Sequence, residues 1–293
     1  MNSVTKIMVF NNFGDNREDW IKRLSKQSPS GRRWNKIELT SEISQADYII
    51  ILDGAGNIHK NDFNLFKEKP KIFLQREPEQ VQGKIRVNKN KFVKYVDYDT
   101  KCPYVDWWLD YDYNYLANLK YQDLNKRKQN PICIVTGKGF TDGHRKRLSF
   151  LIKNQYKTEI DFYGKRDISK MFTNYVGVPE YYNTSKRDKS RIFEYDVSIS
   201  MENGSRKNFF TRVAEDLLCW ALPIYWGCPN LQDFLPKGSY RYIDIDKDYT
   251  KQELTHLLRK PEEKEIKAIA EAREIILNEY NFFPYVEKIL ETL

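Results

Sequence analysis

Residues 196–234, DVSISMENGSRKNFFTRVAEDLLCWALPIYWGCPNLQDF, place two short apolar segments on either side of one helix-like stretch. Val197 to Met201 alternates small polar and apolar residues and stops at Glu202-Asn203-Gly204, the pattern of a strand entering a turn. From Phe209 onward Phe210, Val213, Ala214, Leu217, Leu218 and Ala221 recur at three- and four-residue steps, which predicts a helix with one buried face. Pro223 ends that helix, and Leu222 to Trp226 reads as the next strand. A strand–helix–strand unit points to parallel pairing. The start of such a helix carries unpaired N–H groups and the positive end of a dipole. Both favour an anion at the carboxyl ends of the two strands.

The same alternation runs through the rest of the chain. Strand-like segments Lys6 to Phe10, Lys36 to Leu39, Ala46 to Leu52, Lys71 to Leu74 and Phe92 to Val96 are interleaved with helix-like Arg17 to Ser25 and Asp62 to Lys67. An aromatic, acidic stretch from Pro103 to Leu116 leads to the polar run Gln122 to Pro131, the best linker. A second alternation then begins: strands at Ile132 to Thr136, Glu159 to Tyr163 and Tyr240 to Ile245, and helices at Gly143 to Asn154, Ser190 to Tyr195, Lys251 to Leu258, Glu262 to Asn278 and Pro284 to Leu293. The chain of 293 residues is long enough for two cores. The expected class is therefore α/β, with two Rossmann-like domains facing across a cleft, residues 1–128 and 129–293.

Net charge is +8, which invites phosphorylated substrates, nucleic acid or an anionic membrane surface. Acids and bases are interspersed, and the aromatic residues form no RNA-recognition signature, so nucleic acid is not expected as a partner. No run of about 18 apolar residues occurs, so no integral membrane segment is expected. The N-terminal MNSVTKIMVFNNFGDN reads as a first strand rather than a signal peptide, and the expectation is a cytoplasmic protein. Cys102, Cys133, Cys219 and Cys228 lack paired metal-ligand spacing and read as reduced thiols. Oligomeric state has no signature in the sequence.

Several positions carry the residue types that group transfer from a phosphorylated donor needs. Lys71 to Leu74 is a strand leading through Gln75-Arg76 to Glu77, which places a carboxylate at a carboxyl edge as a candidate general base, with Glu79 as the alternative. Strand Ile132 to Thr136 runs into Gly137-Lys138-Gly139 and then Gly143-His144-Arg145-Lys146-Arg147, whose glycine spacing fits neither a P-loop nor a dinucleotide fingerprint. A guanidinium there can hold two phosphate oxygens and keeps its charge. Asp97-Tyr98-Asp99, Asp110-Tyr111-Asp112 and Asp244-Ile245-Asp246 mimic a metal-binding Asp-x-Asp, but three copies in an Asp-rich chain read as chance. His59, His144 and His256 have no zinc spacing, and no nucleophile setting around Ser or Cys is present.

Around the 196–234 segment the chain resembles the fucosyltransferases of glycosyltransferase family 10. The family's Phe-Glu-Asn-(Ser/Thr) strand end corresponds to Met201-Glu202-Asn203-Gly204, and its Val/Ile-Pro-Ile-Tyr-Trp-Gly to Leu222-Pro223-Ile224-Tyr225-Trp226-Gly227. The match spans about forty residues as a compound pattern. Between the anchors, Asn208-Phe209-Phe210-Thr211-Arg212 replaces Tyr-x-Thr-Glu-Lys. Anchored on Thr211, the family Glu aligns with Arg212 and the Tyr with Phe209. Anchored on Pro223, the Glu aligns with Thr211 and the Lys with Arg212. One cation survives in either register and the acid does not.

The resemblance implies a GT-B fold and an inverting, metal-independent transfer of L-fucose from GDP-fucose to a glycan hydroxyl. It implies Glu77 as the base, and a donor site that includes Glu202, Asn203, Asn208, Phe209, Thr211 and Arg212. Arg147-Leu148-Ser149-Phe150 fits the family's Arg-x-x-Phe and adds Arg147; Asp161-Phe162-Tyr163-Gly164-Lys165 resembles its Asp-x-Tyr-Gly segment and adds Lys165. The implied ligands are a nucleotide sugar and a glycan acceptor, with no cofactor required. Two rivals remain open: the same fold with another nucleotide sugar, and a non-catalytic protein that grips a glycan or nucleic acid.

Overall fold

Short β-branched and aromatic runs form the strands of two largely parallel sheets. The computed structural model describes residues 4–12, 16–56, 58–75, 88–97, 104–105, 107–124, 127–135, 141–164, 166–179 and 189–293. Two units separate: Met1–Asp106 with Asp112–Asn114 and Leu277–Leu293, and Trp107–Tyr111 with Tyr115–Ile276.

In the first unit β1 (Thr5–Asn11), β2 (Arg33–Trp34), β3 (Ile37–Leu39), β4 (Tyr48–Leu52), β5 (Lys71–Leu74) and β6 (Lys94–Val96) stand in the order β2-β3-β1-β4-β5-β6. All of these pairs are parallel except β2 with β3. Helix α1 (Arg17–Ser25) begins where the Asn16 side chain accepts from the Asp19 N–H at 2.9 Å. Helix α2 (Phe63–Glu68) follows β4, and Met8, Phe10, Ile49, Ile51 and Phe73 form a core cluster under them. Helix α3 (Tyr113–Asn118) comes next in the chain. The last helix of the chain, which opens with the buried Phe282 and Phe283, also belongs to this unit. It is held by Asn281, whose Nδ2 donates to the Gln27 carbonyl at 3.1 Å.

The second unit contains β7 (Ile132–Val135), β8 (Asp161–Gly164), β9 (Tyr175–Gly177), β10 (Val197–Met201), β11 (Leu222–Trp226) and β12 (Arg241–Tyr242). Their order is β12-β11-β10-β7-β8-β9 and every pair is parallel. Helices α4 (Asp142–Asn154), α5 (Arg212–Leu218), α6 (Lys251–Leu257) and α7 (Glu263–Ile275) complete this unit, and α8 (Phe282–Leu290) is the last helix already placed in the first.

From β7 the chain steps outward to β8 and β9, then returns to lay β10 on the other flank of β7. The strand order therefore reverses between β7 and β10, where ligands bind open α/β sheets. The strands also part there. β10 pairs with β11 through five residues from Val197 to Met201, whereas its described pairing with β7 is Ser198 with Ile132 alone. Beyond that pair a cavity of about 30 Å³ opens between them, room for about two waters, and Val135, Met201, Arg147 and Arg212 are among its lining residues.

Two local expectations are corrected. The stretch expected to be helical from Phe209 becomes helical only at Arg212 and stops at Leu218. Trp220 takes a left-handed conformation (φ 60°), and the N–H groups of Trp220 and Ala221 return to the carbonyls of Leu217 and Asp216. That double return is a Schellman ending, usually given to glycine. Arg273 over the indole ring at 4.4 Å and a bond from Trp220 Nε1 to the Leu119 carbonyl hold the tryptophan there. The strand expected at Tyr240 to Ile245 pairs only at Arg241–Tyr242.

Candidate functional site

Strand β10 ends in Glu202, a carboxylate only 1 % exposed. Its Oε1 accepts from the backbone N–H groups of Thr211 (2.7 Å) and Arg212 (2.9 Å), and its Oε2 from the Thr211 hydroxyl (3.1 Å). Glu202 thus supplies the negative charge that the start of α5 favours. The expectation of an open helix start near Phe209 is corrected on the same ground: those N–H groups already have an internal carboxylate. Space for Glu202 comes from Gly227, where a Cβ would stand 2.4 Å from the glutamate Cγ. The loop between is pinned by a reciprocal amide pair, Asn208 N–H to Asn230 Oδ1 and Asn230 Nδ2 to Asn208 Oδ1, each at 2.9 Å. Asn208 adopts a left-handed φ of 60°, which an Asn tolerates better than most residues. Phe209 and Phe210 are buried, the latter against Phe234.

Asn203, the next residue, is where the cations meet. Its Oδ1 accepts from Arg147 Nη1 at 3.1 Å and from Arg212 Nη2 at 3.2 Å. Arg147 rises from the second turn of α4, is 5 % exposed, and also donates to the Met201 carbonyl at 3.1 Å. Its Nη2 has no partner among the described residues. Burial, and then the neighbouring Arg212, pull the Arg147 guanidinium down to about 9. Arg212 lies 3.9 Å from Glu202 Oε2, so one carboxylate stands against two guanidiniums.

Helix α4 is brought close by Gly143, where a Cβ would fall 2.0 Å from the Asn203 carbonyl oxygen. Thr141 caps α4 by accepting from the His144 N–H at 3.3 Å, and its hydroxyl contacts His144 Nδ1 at 2.7 Å. The ring of His144 also hydrogen-bonds the Asn203 side chain. Burial, then Arg147 and Arg212, lower its pKa to about 4, so the imidazole is neutral at physiological pH.

Of the residues singled out from sequence, Arg147, Glu202, Asn203, Thr211 and Arg212 come together at one end of β10. Asn208 and Phe209 shape the loop behind them. Glu77, its alternative Glu79, and Lys165 lie outside the described residues. His144 and Gly143 were missed as site residues, although both stood in the glycine- and arginine-rich stretch already noted. In that cluster Arg145 pairs with Asp142 and Lys146 with Asp246, so Arg147 is the one turned inward. Asp246 is also tied to Asp244, its N–H donating to Asp244 Oδ1 at 3.0 Å. Cys133, Cys219 and Cys228 are buried and unbridged; burial pushes the Cys133 thiol up to about 12.

No protein-family model matches the chain, and no curated protein matches its sequence. Solved structures do match in shape. An α1,3-fucosyltransferase solved with GDP aligns at a TM-score of 0.55 with 13 % identity, covering 99 % of this chain and 91 % of the other. The Anabaena protein HepE, solved with UDP-glucose, aligns at 0.51 with 11 % identity, covering 98 % of each. AviGT4, a glycosyltransferase of avilamycin A biosynthesis, aligns at 0.50 with 9 % identity over 98 % of this chain and 96 % of that one. With those proteins this chain shares the GT-B fold, two α/β domains each built on a largely parallel sheet.

Proposed function

We propose that the chain is a glycosyltransferase that binds a nucleotide sugar outside the carboxyl ends of β7 and β10 and transfers L-fucose from GDP-fucose to a glycan hydroxyl with inversion. The observation that carries this reading is the meeting of Arg147 and Arg212 on Asn203 Oδ1 at the point where the strand order reverses. Glu202, 3.9 Å from Arg212, sets one negative charge against these two guanidiniums, which leaves the cluster that meets on Asn203 short of negative charge. A diphosphate supplies the missing negative charge. In the reaction the acceptor oxygen attacks the anomeric carbon, the bond to the β-phosphate oxygen breaks, and its electron pair leaves with the diphosphate. Glu77 takes the acceptor proton. Arg147 and Arg212 stabilise the charge that develops on the leaving group, with Lys165 as a further cation. Glu202, Thr211, Asn208 and Phe209 serve the donor site by holding Asn203 and Arg212 in place.

A second reading, the same chemistry with a UDP-sugar, is favoured by the absence of the acidic residue of Tyr-x-Thr-Glu-Lys and by the likeness to HepE, solved with UDP-glucose. A panel of GDP-fucose, UDP-glucose and CMP-sugars, followed by donor hydrolysis and transfer, tests both. GDP-fucose turnover that falls about a hundredfold in Glu77→Gln, with nucleotide binding kept, is the expected result. Turnover of UDP-sugars alone selects the second reading, and binding of none of them refutes both.

A further inference from the structure

The two guanidiniums meet on one oxygen that the chain itself supplies. Asn203 Oδ1 accepts from Arg147 Nη1 at 3.1 Å and from Arg212 Nη2 at 3.2 Å, and the His144 ring bonds the same side chain. An amide oxygen has two lone pairs, so the two arginines use its whole acceptor capacity. A phosphate oxygen in that position brings the negative charge that the amide lacks, and phosphate also matches the planar fork of an arginine.

The backbone on either side of that amide is pinned. Glu202 donates its N–H to the Trp226 carbonyl at 2.9 Å, and its carboxylate is bound to the first N–H groups of α5. The Asn203 carbonyl lies against the start of α4, where the Thr141 hydroxyl donates to it at 3.4 Å. Rotation of the Asn203 side chain is therefore enough to clear the position between the arginines without moving the end of β10.

We infer that Asn203 is a placeholder: its Oδ1 holds Arg147 and Arg212 together until a diphosphate oxygen takes that position and the amide turns aside. The inference rests on the proposed donor site and adds the residue that sets its affinity. Arg147 is 5 % exposed, and its Nη2 has no partner among the described residues. A phosphate group replacing Oδ1 can engage both nitrogens of that fork, which one amide oxygen does not. The placeholder stabilises the protein before the nucleotide arrives. It also weakens binding, because only the fraction of molecules with the amide turned aside accepts the ligand. The charge at position 203 is then decisive, since a carboxylate there would join Glu202 in balancing the two guanidiniums and would resist replacement.

The test is calorimetric titration of GDP and UDP near neutral pH into wild-type protein, Asn203→Ala and Asn203→Asp, with the melting temperature of each protein measured without nucleotide. Asn203→Ala is expected to melt below wild type and to bind the preferred nucleotide several-fold more tightly. Asn203→Asp is expected to melt above wild type and to bind about ten- to a hundredfold more weakly. Equal or weaker binding by a folded Asn203→Ala overturns this inference alone, as does wild-type affinity in Asn203→Asp. A crystal structure of the wild-type nucleotide complex decides the matter even if neither variant folds. A phosphate oxygen between Arg147 and Arg212, with Oδ1 beyond hydrogen-bonding distance of both, is the expected result; Oδ1 retained on both arginines overturns the inference. Binding of neither nucleotide by wild-type protein overturns the donor site and this inference with it.

Discussion

Asn203 accepts more positive charge than an amide oxygen neutralises, and the residues around it bear the cost. Arg147 keeps one nitrogen unpartnered among the described residues, and His144 is depleted of its proton by burial and by both arginines. The histidine gives this a pH signature. Its folded pKa lies below the ordinary 6.5, so the unfolded chain binds the proton more readily and acidification from about 6.5 to about 4 disfavours the fold. Wild-type protein should therefore lose melting temperature over that window relative to His144→Gln, and the gap should close above about pH 7. Parallel melting curves for the two proteins would remove His144 from the cationic cluster.

Elements position these residues through close approach. Helix α4 reaches Asn203 only because Gly143 has no side chain, so Gly143→Ala must push α4 away from the end of β10 and separate Arg147 from its acceptor. A stability loss of about 1–3 kcal/mol with weakened nucleotide binding is expected. Gly177→Ala serves as the control, since a Cβ there meets nothing within 4 Å, and should stay within about 0.5 kcal/mol of wild type. Equal losses in the two variants would contradict the close-approach argument.

The same elements show where sequence reading reaches its limit. Lys71–Leu74, Val197–Met201 and Leu222–Trp226 were legible to the residue, because buried parallel strands are short apolar runs bounded by polar turns. The three-residue edge strand Tyr175–Gly177 left no such run. The true limits of α5 were hidden because a glutamate nine residues upstream caps it and a tryptophan occupies the left-handed position that glycine would have advertised. Arg147 was legible as a cation in a helix start. Its meeting with Arg212 was not, since the two are 65 positions apart and converge only through the strand order.

At the scale of the molecule, the GT-B arrangement of two parallel-sheet domains is one on which many transferases are built, so the fold narrows the chemistry without choosing the donor. On the proposed reading the leaving group is met by the guanidiniums of Arg147 and Arg212. Among the described residues no group of three His, Cys, Asp or Glu side chains converges as a metal site would. Because the proposed reading gives the leaving diphosphate to Arg147 and Arg212, transfer is expected to survive a strong chelator, and complete, metal-reversible loss would return an Asp-x-Asp segment to the reaction. The central claim is that Arg147 and Arg212 together hold a nucleoside diphosphate. Calorimetric titration of GDP and UDP into wild-type protein, Arg147→Ala and Arg212→Ala measures it most directly. Each substitution should weaken the preferred nucleotide about ten- to a hundredfold, the value of one charge-assisted contact. Unchanged affinity in both folded variants would contradict the account.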